Sequence, residues 1–510
     1  MMHLVVLPVV LPALVAALLL LLRPSLRWQR LIGAGACAML AALAAWLVVL
    51  AARGGYQVYA LGDWPAPFGI VLVLDRLSAM MLLLTAVIAA CSLLHALRGR
   101  DAEGRHFHAL FMFQLMGING AFLTGDLFNL FVFFEVLLIA SYCLLLHGGR
   151  DGQLLPGLHY VAINFAGSFV FLIGASLLYA VTGTLNLADL AQKVAAAPVA
   201  DAALIRAGAL LLLLVFAVKA ALFPLYFWLP RAYSAAEAPV AALFAIMTKV
   251  GVYAILRVAT LVFGPESGVA AGVFEAWLLP VALMTVAIAT FGVLAGENLR
   301  TMAGYLNIAS VGIICVGIGL FSPAAIAAAL YYLLHSTLVI SLLFLLIDLI
   351  RRRRGNGDDT IAHGAAPTHP KLLGALFFGT AIAAVGLPPL SGFLGKTLLL
   401  QAAQQHGAMA LIWAVVLGNA LLALVAMARA GSLVFWHTAA EPAPAWQPAK
   451  ALVVDALPAL LLLGCIVVLS IAAGPAADYA AATARQLLQP ADYIGSVLQQ
   501  PAATAGGDPQ

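Results

Sequence analysis

Charge is what this sequence has least of. Only 9% of its 510 residues are Asp, Glu, Lys or Arg, against 64% hydrophobic residues and a mean hydropathy of +1.07. Soluble domains carry roughly 25% charged residues, so an ordinary water-soluble fold is excluded and a polytopic membrane protein is expected. The net charge of +4 does not suggest a nucleic-acid partner. Cysteine is equally scarce. Cys37, Cys91, Cys143, Cys315 and Cys465 lie in apolar segments with no CxxC pair, so they read as small buried hydrophobes, not disulfides or metal ligands. No Cys cluster for iron–sulfur and no Gly-rich dinucleotide loop after a strand is present. Neither cofactor nor metal is expected. The apolar run from Met1 to Leu22 has few charges and has its arginines (Arg23, Arg27, Arg30) behind it, the reverse of a secretory signal, so it is expected to be a retained first span.

Long apolar runs are what the chain has instead. Taking about 20 residues as one crossing, the sequence divides into fourteen spans: 3–22, 30–52, 69–97, 106–124, 127–147, 157–182, 205–230, 238–263, 271–295, 299–320, 323–350, 371–405, 409–437 and 451–474. An all-α polytopic membrane protein follows. The polar linkers of note are Arg98–His108, Asp189–Arg206, Arg351–Pro370 and Glu441–Lys450, and residues after Pro475 form an Ala-, Gln- and Pro-rich tail, weakly amphipathic at best. With the first loop inside, sixteen lysines and arginines fall on the inner side and six on the outer, which places both termini outside.

The stretch from Leu204 to Arg257 organises the rest. An apolar run carries Lys219 and then meets Pro224 and Pro230; a second run after Pro239 carries Lys249. Pro224 lacks an N–H and clashes with the carbonyl of Ala220, so the helix is expected to break within about one turn of Lys219. Broken backbone at membrane depth is tolerated only inside protein or beside a wet cavity. Near the twelfth span the pattern returns: Phe223-Pro224-Leu225-Tyr226-Phe227-Trp228-Leu229 is echoed by Pro388-Pro389-Leu390-Ser391-Gly392-Phe393-Leu394, with Lys396 two residues on. Breaks five helices apart imply two units of opposite orientation, each with a broken helix, the arrangement that points to a transport site. The expected units are an N-terminal three-helix segment (1–105), a first repeat (106–263), a second, inverted repeat (271–437), a last helix (438–474) and the tail (475–510).

Five titratable side chains lie well inside these spans: Glu135, Lys219, Lys249, His335 and Lys396. Unpaired in lipid, the three lysines alone would cost roughly 8–10 kcal/mol, comparable to the stability of a whole domain, and one glutamate cannot neutralise three lysines. A Glu–Lys pin between helices and a core histidine are the plain alternatives. A row of groups that exchange protons explains all five together. Asn119, Asn129, Asn164, Ser168, Thr248, Asn307, Ser310 and Ser391 are polar companions able to hold water between them. Most other charges lie nearer span ends, within reach of water or headgroups, and Glu237 is expected to cap the Pro239 helix or face Arg231.

At three stretches the chain resembles a known family: Gly125 to Glu135 (GDLFNLFVFFE), Lys219 with Phe223 to Pro230, and Leu387 to Lys396. They look like the proton-translocating antiporter family, which includes membrane subunits of respiratory complex I and, most similar in the first motif, the D-type subunit of the multisubunit Mrp (Mnh or Pha) monovalent cation/proton antiporters. The resemblance implies two inverted five-helix repeats, a proton path along Glu135, Lys219, Lys249, His335 and Lys396, and work only among other membrane subunits in a bacterial inner membrane. The cargo would be H+ and a monovalent cation, Na+ first. The alternative is a proton-pumping subunit of a complex I-like oxidoreductase or membrane-bound hydrogenase.

Overall fold

The computed structural model describes residues 2–64, 67–149, 152–354, 358–438 and 449–498. Most of the Glu441–Lys450 linker and the tail beyond residue 498 lie outside them, as does Arg150, one of the charges counted for orientation. The chain opens with α1 (Leu7–Leu22) and α2 (Leu26–Ala52), a hairpin of β1 (Gln57–Ala60) and β2 (Val71–Leu74), and α3 (Arg76–Ala96). Then follow α4 (Phe107–Leu123), α5 (Leu127–Leu145), α6 (Leu154–Thr182), α7 (Leu187–Ala195), α8 (Ala202–Ala220), α9 (Trp228–Ala235) and α10 (Ala238–Leu261). The second half holds α11 (Glu275–Ala295), α12 (Leu299–Gly319), α13 (Pro323–Arg353), α14 (Pro370–Val385), α15 (Ser391–Ala402) and α16 (Met409–Phe435). The chain closes with α17 (Ala449–Ile471), α18 (Ala473–Leu487) and α19 (Pro490–Leu498).

Among the described residues eleven helices are long and apolar enough to cross a membrane, and three shorter apolar ones join them (α1, α4 and α14). Each of the fourteen expected spans has its helix, and α15 is the second half of the twelfth. The exposure of these helices sorts them. α10 is buried throughout and α13 nearly so, whereas α16 and α17 turn most of their surface outward. α10 and α13 are therefore the central pair, and apolar side chains such as Leu421 and Val468 on the perimeter suit lipid.

The two repeats are clearer in the structure than in the sequence. Asp126 caps α5 by accepting the N–H of Asn129, and Asn298 caps α12 by accepting the N–H of Thr301, each three residues on. Each capping residue also forms a short antiparallel bridge to the segment after the next helix, Asp126 to Asn186 and Asn298 to Thr360. A Cβ on Gly120 would strike the ring of Phe133, and a Cβ on Gly292 would strike that of Tyr305. The caps and the glycine–ring contacts have one spacing, 172 residues (298 less 126), and the bridge partners Asn186 and Thr360 are two residues further apart, although Leu127 and Leu299 are the only identity between 124–140 and 296–312.

Four expectations need correction. The third span does not begin at residue 69: Val71 to Leu74 pair with Gln57 to Ala60 as a hairpin, because a β-branched run bounded by turns suits a strand, and α3 starts behind a capping box of Asp75 and Ser78. The Asp189–Arg206 linker begins inside α7. The described residues after Pro475 are more than weakly amphipathic: α18 buries Ala480, Thr483, Ala484 and Leu487 at helical spacing. Cys143 is exposed and Cys465 half-buried, on the bundle's perimeter, while the other three are buried; all five are free.

Candidate functional site: a row of buried charges

Both breaks fall where the prolines put them. α8 stops at Ala220, Ala221 takes a left-handed conformation (φ 58°), and α9 resumes at Trp228 beyond Pro224. α14 stops at Val385, Gly386 is left-handed (φ 82°), and α15 resumes at Ser391 beyond Pro388 and Pro389. The first lysine precedes its proline in sequence and the last follows its own, yet the structure gives them one location. Lys219 lies in the final turn of α8. Lys396 reaches back from α15 and donates to Val385 O, the last residue of α14, at 2.7 Å. Both lysines thus belong to the carboxyl end of a first half-helix, Lys219 as a residue of its last turn and Lys396 through its amine, where unpaired carbonyls and the dipole favour a cation.

The five predicted residues sit on α5, α8, α10, α13 and α15, and neighbouring helices link them in that order. Their partners fall into three groups. In the first, Ser168 donates to the Glu135 carboxylate and, as a second acceptor, has Asn164 O at 3.1 Å; Lys219 Nζ donates to Asn164 Oδ1 at 3.3 Å. No direct Glu135–Lys219 ion pair forms; α6 stands between them and supplies the link. In the second, Lys249, fully buried, donates to Asn307 Oδ1 at 2.6 Å and Ser310 Oγ at 3.4 Å. In the third, His335 lies 2.8 Å from Ser391 Oγ and 3.0 Å from Ala383 O, while Lys396 holds the end of α14. Glycines allow the close approach: a Cβ on Gly251 would lie 2.5 Å from Ala220 N, beside Lys219, and one on Gly392 would lie 2.5 Å from His335 Nε2.

Among the described residues no side-chain hydrogen bond joins one group to the next, so communication between them requires water or movement. Six of the eight predicted polar companions belong to the groups: Asn164, Ser168, Thr248, Asn307, Ser310 and Ser391. The other two are structural, Asn119 holding Pro8 O at 2.9 Å and Asn129 donating to Thr124 Oγ1 at 3.0 Å. Sequence reasoning missed Ser470 of α17, which accepts the Ser391 N–H at 2.8 Å; a serine in a last, apparently peripheral span gives no signal.

It also missed the charges at the rims. Charges near span ends were expected to reach water. Instead Asp348 is 3% exposed and accepts from Arg100 at 2.8 Å and faces His95 at 2.9 Å, while Glu237, at 3%, pairs with Arg100 at 3.4 Å and makes no capping bond to α10. At the opposite end Arg257 meets Asp75 at 2.6 Å. The helix ends pack against one another there, so opposite charges satisfy each other away from water.

With the geometry in place, kinship can be read. Residues 124–422 match the membrane-domain family described as NADH:quinone oxidoreductase/Mrp antiporter. The chain belongs to that family. The D-type subunit of a probable K(+)/H(+) antiporter from Rhizobium meliloti is 42% identical, with 98% of each chain covered. The D-type subunit of a Na(+)/H(+) antiporter from Alkalihalophilus pseudofirmus is 39% identical, covering 98% of this chain and all of the relative. Among solved structures, a chain of the Mrp complex from Dietzia sp. DQ12-45-1b superposes with a TM-score of 0.85 at 28% identity, over 98% of this chain and 100% of that one.

Proposed function

We propose that this chain is a D-type subunit of a multisubunit secondary transporter that exchanges a monovalent cation for protons, with the proton passing along Glu135, Lys219, Lys249, His335 and Lys396. It is a transporter subunit and not an enzyme. One observation carries the reading. The lysines of the row are held by neutral oxygens (Asn164, Asn307, Ser310 and the Val385 carbonyl), not by carboxylates. A neutral acceptor bonds an amine whether or not it carries the extra proton, so a lysine held this way can release it; a carboxylate in contact would favour the charged form. The breaks beside Lys219 and before Lys396 supply the polar backbone that lets charge exist at membrane depth.

Residues 106–263 and 271–437 act as the two inverted repeats, with 1–105 packed at the N-terminal side and both termini on the outer face. Na+ is the first cation to test, with K+ beside it, because the relatives include a subunit of a Na(+)/H(+) antiporter and one of a probable K(+)/H(+) antiporter.

The test is cation-dependent pH change in vesicles containing the complete complex. Glu135→Gln and Lys219→Ala are expected to abolish it while the complex still assembles. Wild-type transport by either variant removes that residue from the path; failure to assemble returns the charges to a packing role.

A further inference from the structure

The 172-residue spacing that relates α5 to α12 has a consequence inside the row. Asp126 and Asn298 cap alike, Asn129 and Thr301 receive those caps, and the ring contacts of Phe133 and Tyr305 match. By the same spacing Glu135 corresponds to Asn307. The residue that stands for the carboxylate in the second repeat is therefore an amide, and it bonds a lysine directly, where the carboxylate reaches its lysine only through Ser168 and Asn164. That lysine is Lys249, which belongs to α10, the last helix of the first repeat. Asn307 thus stands where one repeat meets the other.

We propose that Asn307 is the positioning residue for Lys249, holding its amine at the junction of the two repeats without fixing the charge on it. This rests on the proton path proposed above. The amide's orientation is set by its surroundings. Thr248 gives its own hydroxyl proton to Ala245 O at 3.2 Å, so it can only accept from Asn307 Nδ2, at 3.5 Å. That leaves Oδ1 for Lys249, at 2.6 Å. Ser310 likewise gives its proton to Asn307 O at 2.7 Å and presents its oxygen to Lys249 at 3.4 Å. Among the described residues no carboxylate lies within ion-pair distance of Lys249, and the titratable side chain near it is the thiol of Cys315, on α12. Both acceptors around the amine are neutral and both are on α12. The ammonium and the free amine each keep a donor for Oδ1, so the lysine can load and unload a proton without losing its place.

The distinction between amide and carboxylate makes the test. In Asn307→Asp the shape is retained and a counter-charge is added at hydrogen-bond distance. The ammonium is then favoured, so transport by the complete complex in vesicles should fall at least tenfold at neutral pH. Relative to the wild type at the same pH, it should recover as the medium is made acid enough to protonate the new carboxyl. In Asn307→Leu the acceptor is lost, and transport should fall about tenfold with no such recovery. If Asn307→Leu fails to assemble, the pH profile of the near-isosteric Asn307→Asp decides. A wild-type rate and pH profile in Asn307→Asp overturns the proposal. Lys249→Ala runs beside both. Should it transport normally, the path reading fails; should it be inactive while Asn307→Asp is normal, only the role of Asn307 falls.

Discussion

At its two rims the bundle brings buried charges into direct contact: Asp348 with Arg100 and His95 at one end of α3, Asp75 with Arg257 at the other. Midway between them, Lys219, Lys249 and Lys396 touch no carboxylate among the described residues, and Glu135 is held by a serine hydroxyl. The two arrangements solve the same problem, a charge out of water, in opposite ways. A contact ion pair is satisfied and static, because either proton state of one partner disturbs the other. A charge among neutral dipoles is less deeply bound and free to change. Burial alone therefore does not mark a working residue here; the nature of its partner does.

The comparison can be broken at the rim first. Arg257→Ala leaves Asp75 buried without its counter-charge, and removing one member of a buried pair costs about 3–5 kcal/mol. Loss of assembly or a large fall in thermal stability is expected, in contrast to Glu135→Gln, which should stop transport and leave stability nearly intact. If Arg257→Ala is stable and transport-dead, rim and centre are not distinct. A smaller effect tests the centre. Ser168→Ala removes the hydroxyl between Glu135 and Asn164; a bond to a charged acceptor is worth about 1.5–3 kcal/mol, so transport should slow by about tenfold or more in vesicle assays. Unaltered rates would mean that α6 does not connect the pair.

The smallest effect concerns Asp101, in the loop before α4, where Arg30 donates at 2.7 and 2.8 Å and His108 lies at 3.1 Å. Burial by itself would raise this carboxyl, but the hydrogen bonds from Arg30 and His108 outweigh it and hold the group below the ordinary carboxylate range. A lowered native value means its stabilisation is present above the unfolded value of about 3.9 and is lost as pH falls through the native one. Melting in detergent should show Asp101→Asn less stable than wild type by about 1–2 kcal/mol above pH ~5. The gap should close only below pH ~4. A gap that does not depend on pH would show that this carboxylate contributes no linkage.

The spans and both breaks were legible along the chain, since about 20 apolar residues and a proline act locally, wherever the neighbours are. The five ionisable residues stood out because charge is costly in hydrocarbon whatever surrounds it. Which companions serve them was only half legible: Asn164 and Asn119 look alike in sequence, yet one meets Lys219 and the other a backbone carbonyl of α1. The repeat was legible at the prolines, and the α5–α12 relation was not, because backbone caps, bridges and close glycine contacts persist where side-chain identity has gone.

The sequence by itself determined that this chain crosses a membrane many times, where two helices break, and which ionisable groups are carried inside. Those follow from transfer and backbone energies that belong to each segment alone. Only the tertiary structure decided that Lys219 and Lys396 share the ends of half-helices, that the rim charges pair while the central ones do not, and that an amide stands in the second repeat where the first has Glu135. Each of these depends on which helices touch, and contact between distant segments is written in no single stretch of the chain.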